Sequence, residues 1–167
     1  MKWFIALVLA LSSGVLRADK FDNEYEEKAW AEIAVQLPAF PEEAGLREFK
    51  VGAVVATRFF IDSDSISVGS DGVIRYTLVV LSSGGARNIS YEGMRCATGE
   101  RRFYAFGHPD TGWSKAKGSR WFRVSGGSNN HHVELYSNFF CTVGAPEVDA
   151  GAIRFGLRNG GLMAKER

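Results

Sequence analysis

Two strand-like runs, Ser65–Val68 and Val73–Leu81, are separated by Gly69-Ser70-Asp71-Gly72. An Asp-Gly pair between such runs is a strong hairpin signal, because glycine reaches positive φ without steric cost. Within the second run, Ile74, Tyr76, Leu78 and Val80 share one face. Arg75 and Thr77 lie on the other, with apolar Val73, Val79 and Leu81 toward its ends. That alternation predicts an antiparallel strand with one face on the core and the other half exposed.

The hairpin constrains its neighbours. Val51–Asp62 is rich in β-branched and aromatic residues and reads as a strand. Ser82-Ser83-Gly84-Gly85 is a turn, and Asn88–Cys96 is the next strand. Ala97–Glu100 turns the chain, and Arg101–Phe106 returns. The strands Phe59–Asp62, Ser65–Val68, Val73–Leu81, Asn88–Cys96 and Arg101–Phe106 follow one another without helices between them. Such an order predicts an antiparallel meander. Gly107–Ser119 reads as a loop, and Arg120–Val124 as a short strand or docking segment.

Helices are expected at both ends. Residues 19–36 carry Tyr25, Ala29, Ile33 and Leu37 every four positions, widened by Trp30 and Ala34. Asn23 is placed to cap this helix, and Pro38 and Pro41 end it, with a short helical turn at Glu42–Leu46. Leu135, Tyr136, Phe139 and Phe140 have helical spacing. A last helix begins at Pro146 and stops at Gly160-Gly161, before a frayed tail from Met163. The predicted class is α+β: an antiparallel meander sheet of about five to six strands with an N-terminal and a C-terminal helix.

Lys2, the apolar run Trp3–Leu11 and the small residues that follow have the order of a secretory signal peptide, with cleavage expected after Ala18. The run is shorter than the roughly 20 apolar residues a membrane-spanning helix needs. Residues 19–167 then form a single exported domain, with no transmembrane segment. The expected location is the periplasm, with secretion or outer-surface association as the alternative. In that oxidising compartment the two cysteines, Cys96 and Cys141, read as a disulfide. Without residues 1–18 the chain holds 18 basic and 19 acidic residues. So small a net charge gives no long-range field to attract nucleic acid.

Chemistry-bearing motifs are sparse. No CxxC, HExxH, GxSxG or phosphate-loop spacing occurs, so no metal, cofactor or nucleotide is expected. His108, His131 and His132 are the only histidines. A hydrolase site would pair His131 or His132 with Glu134 or Asp110, against the alternative of solvated or helix-capping histidines. The best polar cluster is Arg95, Arg101 and Arg102 around the turn after Cys96. With Trp113 and Trp121 it makes a candidate small-ligand or glycan surface, although arginines at a turn and aromatics in a core would account for the same residues.

The motifs Asp71-Gly72-Val73-Ile74-Arg75-Tyr76-Thr77-Leu78-Val79 and Ser90-Tyr91-Glu92-Gly93-Met94-Arg95-Cys96 resemble the CNP-like family, the cryptic neisserial protein family of exported bacterial proteins. Glu27-Lys28-Ala29-Trp30, Leu37-Pro38, Phe60-Ile61-Asp62, Tyr104, Trp121 and Cys141 extend the likeness over nearly all of residues 19–167. The resemblance brings no catalytic residue with it. A fainter similarity, to the adhesin E-like fold, rests on Asp64-Ser65-Ile66, Tyr91–Cys96 and Cys141. It implies a small antiparallel sheet with helices, stapled by one disulfide, and binding of host proteins at a cell surface. The lipid-attachment cysteine of such adhesins is missing here. The leading expectation is therefore a non-enzymatic domain that binds a protein or envelope component. A small-ligand module and a His/Glu hydrolase are the alternatives.

Overall fold

The computed structural model describes residues 29–52, 56–127, 130–141 and 149–162. The expected signal peptide with its cut after Ala18, the first part of the N-terminal helix, the Pro146 start and the tail from Met163 lie outside the described residues.

The expected meander forms and is extended. Six strands run in sequence order: β1 (Leu46–Phe49), β2 (Arg58–Val68), β3 (Val73–Leu81), β4 (Arg87–Arg95), β5 (Glu100–His108) and β6 (Gly112–Lys115). Every pairing is antiparallel, and β7 (Phe122–Arg123) adds to the other end of β5. The boundaries of β3 are those read from its alternation. Asp71-Gly72 turns as expected: Gly72 takes φ 73°, and its N–H donates to the Gly69 carbonyl at 2.9 Å.

Three expectations around this sheet are corrected. The strand assigned to Val51–Asp62 starts only at Arg58, and the preceding strand is Leu46–Phe49. The two short strands Phe59–Asp62 and Ser65–Val68 are one strand with an irregularity between Asp62 and Ser67. Side chains take up the backbone groups that this irregularity frees. Ser65 Oγ donates to the Asp62 carbonyl and accepts from Thr77 N–H, both at 2.8 Å. The loop assigned to Gly107–Ser119 contains β6, whose four residues are too few to show an alternation.

A helical layer covers one face of the sheet. Helix α1 (His131–Glu134) is capped by Asn130, whose side chain accepts from His132 N–H at 2.9 Å. It widens into π-helical turns over Leu135–Phe140, closed by Cys141 N–H donating to Tyr136 O at 2.8 Å. Helix α2 (Ala150–Asn159) is capped by Asp149 and ends at Gly160, in the left-handed conformation at φ 84°. Ile153 and Leu157 bury the inner stripe of α2 against β1 and β2. Arg154 pins it there, donating to the carbonyls of Ser63 and Ile66 at 2.8 Å. Between the layers lies a core containing Phe59, Ile61, Tyr76, Leu78, Met94 and Phe140.

The Cys96–Cys141 disulfide forms as expected, with Cα atoms 5.4 Å apart. It closes a loop of 45 residues, a constraint on the unfolded chain of about 4 kcal/mol. It ties the end of the π-helical turns to the end of β4.

The opposite face overturns two further expectations. Residues 29–36 are not helical; this part of the chain crosses the sheet as an irregular strap. Polar contacts every few residues hold it on the sheet. Trp30 Nε1 donates to Asp71 O at 2.8 Å, and Ile33 N–H donates to the Asp71 carboxylate at 3.0 Å. Glu32 accepts from Arg102 and from Tyr104, both at 2.6 Å. Trp113 Nε1 donates to Pro38 O at 2.9 Å. The face of β3 expected to be half exposed is consequently buried, with Arg75 at 4% and Thr77 at 0% exposure.

Asp71 holds turn, strand and strap together. Its carboxylate bonds Arg75 at 2.6 Å and accepts from Val73 N–H at 3.2 Å. Burial pushes its carboxyl up. The bonds from Arg75, Ile33 and Val73 outweigh this and hold it at about 2. Replacing Asp71 by Ala leaves the Arg75 guanidinium buried with Glu32, at 3.8 Å, as its remaining carboxylate among the described residues. The expected loss is about 3 kcal/mol in urea unfolding; a change below about 0.5 kcal/mol, as at an unconnected surface position, contradicts this role.

Candidate functional site

In β4, Ser90, Glu92 and Met94 alternate onto the helix-bearing face, beside Ile74, Tyr76 and Leu78 of β3. This puts a carboxylate in the middle of an apolar surface. Glu92 is 1% exposed, and an ionised group there must be bonded on every side. Ser90 Oγ donates to Oε1 at 2.6 Å. Tyr76 Oη donates to Oε2 at 3.1 Å, and His132 Nε2 is 2.7 Å from the same oxygen. Burial pushes the Glu92 carboxyl up, but the hydrogen bond and charge of His132, with Ser90 and Arg101, bring it below the ordinary carboxylate range.

Helix α1 and its π-helical extension are thus fixed to the sheet at both ends, at His132 by Glu92 and at Cys141 by Cys96. Helix α2 rests on β1 and β2. Among the described residues, the helical layer does not continue past α1 over β4 and β5. A cleft of about 760 Å³ opens there, and its lining includes Ser90, Glu92, Arg101, Phe103, Phe106, His108, His131 and His132. Its size suits a small organic molecule. Phe106, 43% exposed, stands at its edge.

The structure redistributes the residues expected to form a binding surface. Arg101 and Arg102 are consecutive in β5 and so face opposite ways. Arg102 goes to the strap and Glu32. Arg95 lies 3.7 Å over the Trp30 ring, and Trp30 meets Trp121 edge-on at 6.0 Å. Trp113 bonds Pro38 and leans on Phe40 at 5.4 Å. Four of the five expected residues therefore contact the strap face and are engaged there. Arg101 alone reaches the cleft.

The expected hydrolase pairing is replaced by a different one. Glu134 accepts from Asn138 at 2.6 Å, and Asp110 is exposed in the β5–β6 turn, while His132 takes Glu92. The signal for Glu92 was in the sequence. A glutamate two residues before Met94, on the core face of a strand, needs partners from other elements. Only the fold reveals that they are Tyr76, Ser90 and His132.

Among the described residues, no cluster of three or more His, Cys, Asp or Glu has the geometry to hold a metal ion, and no helix is long and apolar enough to cross a membrane.

Sheet, strap and helical layer together define a disulfide-stapled antiparallel meander domain with a cleft on its helix-bearing face. The chain belongs to the CNP1-like family, whose model matches residues 25–158. No curated protein and no solved structure matches it significantly.

His131 lines the cleft between Phe59 and His132, its ring stacked on Phe59 at 5.0 Å and 22°. Burial, with His132 and Arg101 beside it, pushes it down from 6.5 to about 4, against the opposite pull of Glu92. Between these two values the unfolded chain carries a proton that the folded chain does not. Stability therefore falls as the pH drops from about 6.5 to about 4. His131→Phe keeps the stacked ring and removes the titration. Thermal melts across this interval should show a shallower loss for His131→Phe than for the native chain; parallel profiles contradict the assignment.

Proposed function

We propose that this chain is an exported, non-enzymatic binding domain whose ligand is a small molecule of the cell envelope, held in the cleft over β4 and β5. The observation that carries the reading is the cleft itself. The helical layer is tied down at both ends beside it, and its walls include apolar Leu78, Val80, Phe103 and Phe106. Export is supported by the signal-like first 18 residues and by the single disulfide, which leaves no free cysteine among the described residues. A binding role suits the polar groups better than catalysis does. Both oxygens of Glu92 are occupied, and Ser90 donates to Glu92 rather than to a histidine base. A small ligand suits the surface better than a protein partner does. The exposed large apolar residues Trp30, Ile33, Phe106, Phe122 and Phe155 come from separate elements: the strap, β5, β7 and α2.

Nile red, an uncharged dye whose emission rises and shifts to the blue in apolar surroundings, tests the cleft without regard to ligand charge. The native protein should bind it saturably at one site. Asn88 is exposed and lines the cleft, so Asn88→Trp fills the opening without disturbing the core. This variant should melt with the native protein and bind the dye at least about tenfold more weakly, as befits loss of most of the apolar contact. No saturable binding, or equal binding by Asn88→Trp, overturns the reading.

A further inference from the structure

Arg101 stands apart from the other groups around the cleft. Its guanidinium lies over the Phe103 ring at 4.8 Å, and its Nη1 is shut off from water with no hydrogen-bond partner among the described residues. A buried cationic donor left without an acceptor is costly, and native proteins ordinarily pair it. The nearby carboxylate of Glu92 does not supply the pair: it bonds Ser90, Tyr76 and His132, and it receives no bond from Arg101 Nη1. Arg87, also at the cleft, pairs with Glu43. Among the described residues, Glu92 is the only acidic group lining the cleft, and Arg101 is the lining arginine left without a carboxylate partner. The orphaned donor calls for an anion. The walls beside it call for an apolar body.

We infer that the ligand is a small amphiphile with one carboxylate, bound through that carboxylate to Arg101 and through its apolar part to Phe103, Phe106 and Val80. This rests on the cleft being the ligand site and specifies its chemistry. Guanidinium and carboxylate match in planar geometry and make charge-assisted hydrogen bonds, which are stronger than those an alcohol would offer. An amine of the same length meets Arg101 as a like charge.

Octanoate, 1-octanol and octylamine share one chain length and differ in the head group, so they separate the two parts of the assignment. Each is titrated against the oxidised protein loaded with Nile red. Octanoate should displace the dye at a concentration about tenfold or more below that of octanol, with octylamine weakest. Arg101→Gln should bring octanoate to the level of octanol and leave octanol unchanged. The ranking in the native protein is a test in its own right if Arg101→Gln does not fold. Equal potency of the three compounds, or an octanoate preference that survives in Arg101→Gln, overturns the carboxylate assignment while leaving the cleft as a binding site. Failure of Nile red itself to bind removes both.

Discussion

The structure depends on satisfying one buried charge. Glu92 sits at the middle of the core face of the sheet, where a bare carboxylate would be prohibitively costly. Its donors come from β3, β4 and α1. Because they belong to separate elements, satisfying the charge also sets the position of the helical layer on the sheet. The disulfide then repeats the constraint at the other end of the same helical segment, just past the end of the same strand. Two ties four residues apart, at Glu92 and Cys96, leave α1 and its π-helical turns little freedom. They also determine where the layer ends and the cleft begins.

The second face is organised by the same principle with different residues. Arg75, buried in β3, is met by Asp71 from the hairpin and by Glu32 from the strap. Glu32 in turn holds Arg102 and Tyr104 of β5. The strap closes this face and leaves a smaller pocket of about 300 Å³ beside Glu32, Arg102 and Tyr104. Of its charged lining residues, Glu32 and Arg102 pair with one another, and Lys115 stands beside them. The two faces therefore differ in what they offer a ligand. On the strap face Arg75 and Arg102 each bond a carboxylate, though each also keeps an unbonded Nε, whereas Arg101 at the cleft has no carboxylate partner among the described residues.

Much of this architecture was legible in the residues. The Asp-Gly turn, the extent of β3, the pairing of the two cysteines and the glycine end of α2 each follow from a local rule with few alternatives. The strap was misread because an apolar residue at every fourth position predicts a helix only when hydrogen bonds to another element do not win. Here Asp71, Arg102 and Tyr104 capture Ile33 and Glu32 instead. The half-exposed face of β3 was misread for the same reason, since Arg75 looks like a solvent residue until its partners are known. The candidate site was the least legible part. Arg95, Arg101 and Arg102 are close in sequence, but strand alternation sends Arg101 and Arg102 apart. Glu92 and His132 are 40 residues apart and meet only through the fold.

The central claim is that Glu92 is ionised inside the core and held so by its three donors. The most direct measurement is a pH titration of the Glu92 side-chain carboxyl carbon by NMR, in protein labelled with ¹³C at glutamate and assigned against Glu92→Gln. At pH 4.5, the midpoint of an ordinary glutamate, the resonance should still be that of a carboxylate. A resonance already that of the protonated acid at this pH would contradict the account, because a neutral Glu92 could not serve as the charged anchor on which the helical layer and the cleft rest.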